Sequence, residues 1–354
     1  MSDAVNVAMV GVGSWGANLL RTVGAMENSR LSWICDRDAR TLARRGRAHP
    51  DAKTTTRLED VLADPAVEAV LIATPADAHY DCALAALMAD KHVFVEKPLA
   101  LRSDHAERLV AEADRRNLKL MVGHLLRHHP VVEYLKRLID RGDLGETRYL
   151  YSQRVNLGVV RTNENAWWSL APHDIAVACY LFDAAPRTVV AQGRCFLQSG
   201  VEDVVFGTLH FADGRMAHIH VSWLDPHKIR KITLVGSGKM AAFDDMEATE
   251  KLRIYDKGAT IKQEFASYAE AVQLRTGDIV IPRIDPVEPL QCECRRFIAA
   301  VRENQPVYSD GWDGLNVVRA LEAGAESLRS GGIPVELPGA DAARAAQSCL
   351  VSVG

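Results

Sequence analysis

Glycines at 11, 13 and 16, an aspartate at 36 and a lysine at 97 stand at spacings that could do chemistry in this chain of 354 residues. Gly11-Val12-Gly13-Ser14-Trp15-Gly16 fits G-x-G-x-x-G between a short apolar run and a helical stretch. Gly11 would permit a tight turn, Gly13 would let the backbone approach a pyrophosphate, and Gly16 would allow close packing of helix on strand. A helix N-terminus beyond the turn offers unpaired N–H donors and positive potential to phosphates. Asp36 lies 20 residues after Gly16 at the end of the next apolar run. Its carboxylate should accept hydrogen bonds from adenosine ribose hydroxyls, which favours NAD, because a 2′-phosphate would meet a like charge. Arg37 pulls the other way: its guanidinium could pair with that phosphate and admit NADP, or simply stand in solvent.

Phe94-Val95-Glu96-Lys97-Pro98 is the second informative stretch. It falls where a parallel strand should end, the edge along which open α/β sheets bind ligands. A lysine beside a nicotinamide ring and a sugar hydroxyl can hydrogen-bond the alcohol oxygen and share its proton during hydride transfer. Taken alone it could equally be a surface charge. Pro98 should fix the chain direction there through an unusual X–Pro bond.

Histidines invite a metal reading. His218 and His220 would share one strand face by period two, with His210 on the neighbouring hairpin strand, and His124, His128 and His129 form a second group. Zinc catalysis generally needs three convergent ligands and an open position, and no H-E-x-x-H or cysteine–histidine spacing supplies them. No metal is expected, and hydride transfer to a nicotinamide needs none.

These residues need elements to position them, and the first half of the chain alternates strand and helix. Apolar runs at 5–10, 31–36, 69–74, 92–95 and 119–122 read as strands, with helical stretches at 17–26, 41–49, 81–88 and 103–116 and another beginning at 58. The run Ala69-Val70-Leu71-Ile72-Ala73-Thr74 is nearly continuous, as a parallel strand covered on both faces should be. Such alternation predicts a Rossmann-type, doubly wound parallel sheet over 1–125. From about residue 146 the pattern changes to long strand-like runs at 147–157, 188–197, 204–211, 215–223 and 230–235. Ala212-Asp213-Gly214-Arg215 should be a hairpin turn between two of them. A largely antiparallel sheet, and so a second α+β domain for substrate binding and oligomerisation, is expected over 126–337, with helices at 289–304 and 311–330. The segment 338–354 carries no signal.

Several motifs in order resemble the Gfo/Idh/MocA oxidoreductases. They are the glycine turn, Ala73-Thr74-Pro75 with His79, Glu96-Lys97-Pro98, Gly123-His124 with Arg127, and Pro172-His173-Asp174. The likeness runs over roughly 5–337 and takes in Glu293-Cys294-Arg295-Arg296-Phe297 and Ser309-Asp310-Gly311. It implies an α/β fold, a nicotinamide cofactor touched by Ser14, Trp15, Thr74, Pro75, His79, Glu96 and Lys97, and a reacting carbon flanked by Lys97 and His173 as catalytic residues. Most members carry an aspartate four residues before that histidine, where this chain has Ser169. An aspartate there would raise the basicity of the imidazole and orient it. Lys97 could carry more of the proton transfer in its absence, or Asp174 could compensate.

Arg154-x-Asn156-Leu157-Gly158-x-x-Arg161 and Asn165-x-Trp167-Trp168 resemble a nucleotide-sugar branch of that family. The branch contains UDP-N-acetylglucosamine and UDP-N-acetylglucosaminuronate 3-dehydrogenases. A UDP-sugar carries two phosphate charges, so Arg127, Arg154, Asn156 and Arg161 become candidate substrate ligands. Trp167 and Trp168 could wall the sugar or nicotinamide pocket, or else belong to the core. The expected activity is NAD-dependent oxidation of the C3 hydroxyl of UDP-N-acetylglucosamine. Competing readings are the uronate, a cyclitol or free aldose, and a nicotinamide-binding regulatory protein without turnover. A homodimer or homotetramer is expected from the resemblance.

Composition limits the partners. A formal charge of −4 gives no electrostatic case for nucleic acid or an anionic membrane. No apolar run approaches the roughly 18–20 residues that span a bilayer, and the N-terminus lacks a basic signal-peptide region. The 7 cysteines are scattered, with Cys292 and Cys294 as C-x-C, and read as reduced thiols of a cytoplasmic protein.

Overall fold

The computed structural model describes residues 4–261 and 272–338. The first strands are β1 (Val5–Val10), β2 (Ser29–Cys35), β3 (Lys53–Thr55), β4 (Ala69–Ile72), β5 (His92–Glu96) and β6 (Leu120–Gly123). They form one parallel sheet in the order β3-β2-β1-β4-β5-β6. Helices α1 (Gly16–Gly24), α2 (Ala39–Gly46), α3 (Leu58–Leu62), α4 (His79–Met88) and α5 (Ser103–Arg115) connect them. Every residue of β4 and of β6 is buried, the signature of strands covered on both faces. In α5 the buried Ala106, Leu109, Val110 and Ala113 recur at helical spacing, so one stripe faces the sheet and the charged remainder faces water. The strand order reverses between β1 and β4, and the chain leaves both strands at the same carboxyl edge.

The second sheet follows α6 (Pro130–Asp140). It is built from β7 (Thr147–Val155), β8 (Thr188–Arg194), β9 (Val204–His210), β10 (Met216–Ser222), β11 (Ile229–Gly236), β12 (Met240–Asp244), β13 (Leu252–Ile261) and β14 (Val272–Val280). Helix α7 (Ala166–Phe182) interrupts this series after β7, and α8 (Pro289–Arg302), α9 (Gly311–Arg329) and β15 (Val335–Glu336) close the described chain. The nine-stranded order is β14-β13-β12-β11-β7-β10-β9-β8-β15, antiparallel except where β10 runs parallel to β7. The predicted hairpin joins β9 to β10, with Gly214 at φ +87°. Helix α7 covers one face of β7, β9 and β10.

The chain divides into two compact units, Met1–His129 with Val287–Arg319, and Pro130–Pro286 with Ala320–Gly354. The first cut falls near the expected 125, but the return of 287–319 to the first unit corrects the expectation of an uninterrupted second domain over 126–337. Its cause is hydrophobic. Leu290, Cys294, Phe297 and Ile298 of α8 share one apolar core with Val7, Met9 and Leu19. Periodicity identifies the apolar stripe of a helix but not the distant surface that buries it. The segment beyond 338 lies outside the described residues.

Candidate active site

The glycine turn leaves β1 at the switch point. Gly11 has φ +82°, and a Cβ there would stand 2.6 Å from the Thr74 nitrogen. At Gly16 a Cβ would meet the Gly11 carbonyl oxygen at 2.0 Å, so the turn closes only without a side chain. Gly13 is exposed, with no atom within 4 Å of a Cβ position. Ser14 and Trp15 are exposed on the same turn. Asp36 ties the turn to β2: its Oδ2 accepts from the Val12 N–H at 2.7 Å and its Oδ1 from the Asp38 N–H at 2.9 Å. Arg37, next along, is exposed. Thr74 follows β4, and its buried hydroxyl oxygen has no hydrogen-bond partner among the described residues.

Glu96 ends β5 and Lys97 follows it, joined to Pro98 by a cis peptide bond as the sequence suggests. His79 braces this turn. Its Nδ1 lies 2.7 Å from the Pro98 carbonyl and its Nε2 2.9 Å from the Thr74 carbonyl. It is 1% exposed and fixes the two loops that line the sheet edge. The Trp15 indole N–H donates to Glu96 Oε1, so the glycine turn and the lysine-bearing turn are hydrogen-bonded to one another. Burial pushes the Glu96 carboxyl up to about 7, against the pull of Trp15 and Lys97. Beneath it Glu293 of α8 is fully buried, held well above the usual carboxylate range by burial and by Glu96. His128 Nε2 lies 3.7 Å from Glu293 Oε1. Burial keeps the neighbouring imidazoles neutral, pushing His124 down to about 3 and His128 to about 2. Arg127 does not stand in solvent awaiting a phosphate. It is buried, donates to the Tyr308 carbonyl at 2.9 Å and pairs with Asp313 at 2.5 Å.

In the second unit α7 carries His173, half-buried, and Ser169, buried. Asn165 caps the helix by accepting from the Trp168 N–H at 3.1 Å. Trp168 is half-buried, but Trp167 is fully buried, packs against Gly207 and Gly324, and donates to the Leu321 carbonyl at 3.1 Å. Trp167 is therefore core rather than pocket wall. Arg154 also departs from the expectation. Its Nε reaches Asp174 Oδ2 at 2.7 Å and its terminal nitrogen reaches Oδ1 at 3.3 Å, both side chains being buried. This pairing engages Arg154 with a carboxylate instead of a substrate phosphate. It also withdraws Asp174, 1% exposed, from any role as a substrate base beside His173. Asn156 is half-buried just beyond β7, and exposed Arg161 pairs with Glu164 at 3.0 Å.

His218 and His220 share one sheet face as period two predicts. His218 Nδ1 lies 2.9 Å from Thr208 Oγ1, and the His220 ring stacks on Phe206 at 4.3 Å. Cys35 and Cys294 are buried thiols, and burial pushes Cys35 up to about 12, so it is poorly nucleophilic. Among the described residues no helix is long and apolar enough to cross a membrane.

Two adjoining family models match this chain: an oxidoreductase family with an NAD-binding Rossmann fold over residues 5–124, and the GFO/IDH/MocA C-terminal domain over residues 132–242. The chain belongs to the Gfo/Idh/MocA oxidoreductase family. Among family relatives, UDP-N-acetylglucosamine 3-dehydrogenase of Acidithiobacillus ferrooxidans is 28% identical over 89% of this chain and 95% of its own. Inositol 2-dehydrogenase of Corynebacterium glutamicum is 26% identical over 95% of this chain and 97% of its own. The crystal structure of GenD2 from gentamicin A biosynthesis, in complex with NAD, superposes with a TM-score of 0.80 at 25% identity, covering 96% of this chain and 98% of that one.

The turn fits the dinucleotide of this Gfo/Idh/MocA oxidoreductase. Open space at Gly13, the helix N-terminus beyond it, the Asp36 carboxylate and the unpartnered Thr74 hydroxyl suit pyrophosphate, ribose and amide groups. Sequence reasoning missed the buried role of Glu293 and the placement of Arg230. Glu293 was visible only as one letter of the Glu-Cys-Arg-Arg-Phe helix. Arg230 opens a recognised strand, but its neighbours follow from strand register, which no local pattern prints.

Proposed function

We propose that this chain is an NAD-dependent dehydrogenase that oxidises the C3 hydroxyl of UDP-N-acetylglucosamine to the 3-keto sugar, for use in 3-amino sugar synthesis. The observation that carries the reading is near full-length similarity to a UDP-N-acetylglucosamine 3-dehydrogenase, joined to a lysine at the strand end beside the glycine turn. The dinucleotide, when bound, supplies the hydride acceptor. Lys97 holds the substrate hydroxyl through Nζ and takes up its proton, with His173 as second proton acceptor. His79 fixes the lysine-bearing turn through the Thr74 and Pro98 carbonyls. Gly11, Gly13, Ser14, Trp15 and Gly16 hold the pyrophosphate, and Asp36 selects NAD at the ribose.

The similarity to inositol dehydrogenases favours a second reading, a cyclitol substrate. Self-association belongs to the same proposal. The sheet face opposite α7 exposes Tyr149, Tyr151 and Phe206, a surface suited to a dimer or tetramer of a cytoplasmic enzyme. NADH formation, followed spectrophotometrically with UDP-N-acetylglucosamine, its uronate, inositol and free aldoses, tests the reading. Reduction of NAD by UDP-N-acetylglucosamine, lost in Lys97→Ala, is expected. No reduction with any UDP-sugar, despite NAD binding, overturns it.

A further inference from the structure

Beside the Arg154–Asp174 pair of the second unit stands a further cation, Arg230, that the carboxylates around it do not bond. Arg230 near the start of β11 stands directly opposite Arg154 of β7 in the antiparallel ladder. Residues opposed across a ladder send their side chains to the same face, and like charges so placed are destabilising without a counter-ion. The face is the one that α7 covers, because Arg154 reaches Asp174 of α7 from it. Asp174 supplies one negative charge, and both of its oxygens are bonded by Arg154, at 2.7 Å and 3.3 Å.

The next carboxylate is Asp245, whose backbone N–H donates to the Arg230 carbonyl. Its side chain pairs with Lys251 at 3.3 Å, and the same ammonium also donates to the Asp245 carbonyl at 2.8 Å. Arg154, Arg230 and Lys251 thus face Asp174 and Asp245. The excess cation is the exposed one: the Arg230 guanidinium makes no hydrogen bond or ion pair among the described residues. Of the arginines expected to hold phosphate, Arg154 and Arg127 are buried in pairs with Asp174 and Asp313, and exposed Arg161 pairs with Glu164. Arg230 is free of such a partner and neighbours the Arg154–Asp174 pair, one residue from His173.

We propose that Arg230 is an oxyanion-binding residue of the substrate unit. A guanidinium presents a planar fork of donors that matches phosphate and carboxylate alike, so the ligand is a substrate oxyanion. It comes either from the diphosphate of a nucleotide sugar or from the carboxylate of a uronate. The inference rests on the nucleotide-sugar reading for its substrate class, and on the register and charge of β7, β11 and α7 for its place.

Calorimetric titration of the full chain with UDP, inorganic diphosphate and N-acetylglucosaminuronate tests it in the wild type, Arg230→Gln and Arg230→Lys. Arg230→Gln should weaken UDP or uronate binding about tenfold, with partial recovery in Arg230→Lys and unchanged NAD binding. Loss confined to UDP and diphosphate assigns the phosphate, and loss confined to the uronate assigns the carboxylate. Unchanged affinity for all three ligands in Arg230→Gln overturns the inference. Wild-type failure to oxidise any UDP-sugar, with UDP binding still weakened by Arg230→Gln, would instead sink the nucleotide-sugar activity and leave the oxyanion site standing.

Discussion

Asp36 Oδ2 accepts a hydrogen bond from the Val12 backbone at 2.7 Å, so the acid proposed to choose the coenzyme also holds the glycine turn. A charge-assisted bond of this kind contributes about 1.5–3 kcal/mol. Asp36→Ala should lower kcat/KM with NAD about tenfold or more and raise the NADP-to-NAD preference, with Arg37 then unopposed. Steady-state kinetics with both coenzymes measures this. An unchanged ratio would remove Asp36 from coenzyme choice.

Two glycines of one turn should fail differently. Gly16→Ala sets a methyl 2.0 Å from a carbonyl oxygen, and should destabilise the protein by about 1–3 kcal/mol. Gly13→Ala adds a methyl in open space, so the unliganded Tm should hold while the rise in Tm on adding NAD is lost. Thermal melts with and without NAD separate the two. Equal behaviour of the variants would contradict the division of labour within the turn.

The pair of Arg154 and Asp174 should behave as a buried ion pair. Arg154→Met leaves the Asp174 carboxylate buried alone, at a cost of about 3–5 kcal/mol. The double variant Arg154→Met with Asp174→Leu should recover most of that loss. Urea denaturation of the three proteins gives the coupling. Additive losses would show that the two side chains do not act together.

Stability should depend on pH through the cluster at Glu96. Glu96 and Glu293 titrate above their unfolded values, so the stability they contribute is present below about pH 4.5 and lost as pH rises through the folded values, about 7 for Glu96. His124 and His128 titrate far below theirs, so the stability they contribute is present above about pH 6.5 and lost as pH falls. Between pH 5 and 6.5 the two effects oppose. Glu293→Gln removes a proton uptake from one side, and stability should then rise more steeply with pH, by up to about 1.4 kcal/mol per unit. Denaturation midpoints across that window test it, and an unaltered slope would place neither proton on Glu293.

The proposed self-association through the sheet face can be measured directly. Tyr151→Glu with Phe206→Glu should shift the protein to a smaller species by sedimentation, since both side chains are exposed on that face. An unchanged sedimentation coefficient would move the interface elsewhere.

Local pattern determined much of this protein by itself. Gly11, Gly13, Gly16 and Asp36 announce their roles because a tight turn and a strand end have short-range requirements that only a few residue types meet. The fully buried β4, the Asp213-Gly214 hairpin and the proline after Lys97 are equally local. Tertiary structure decided the rest, because the controlling partners are far apart in sequence. Helix α8 looked like part of the second domain until its apolar stripe met α1 and β1. Arg154 looked like a phosphate ligand until the fold placed Asp174 beside it. Trp167 became core because Gly207 and Gly324 leave room for its ring. A guanidinium or an indole has the same sequence appearance whether it faces water, a carboxylate or a ligand. Only strand register and helix packing choose among those, and here they set Arg230 opposite Arg154 with no hydrogen bond or ion pair to its guanidinium among the described residues.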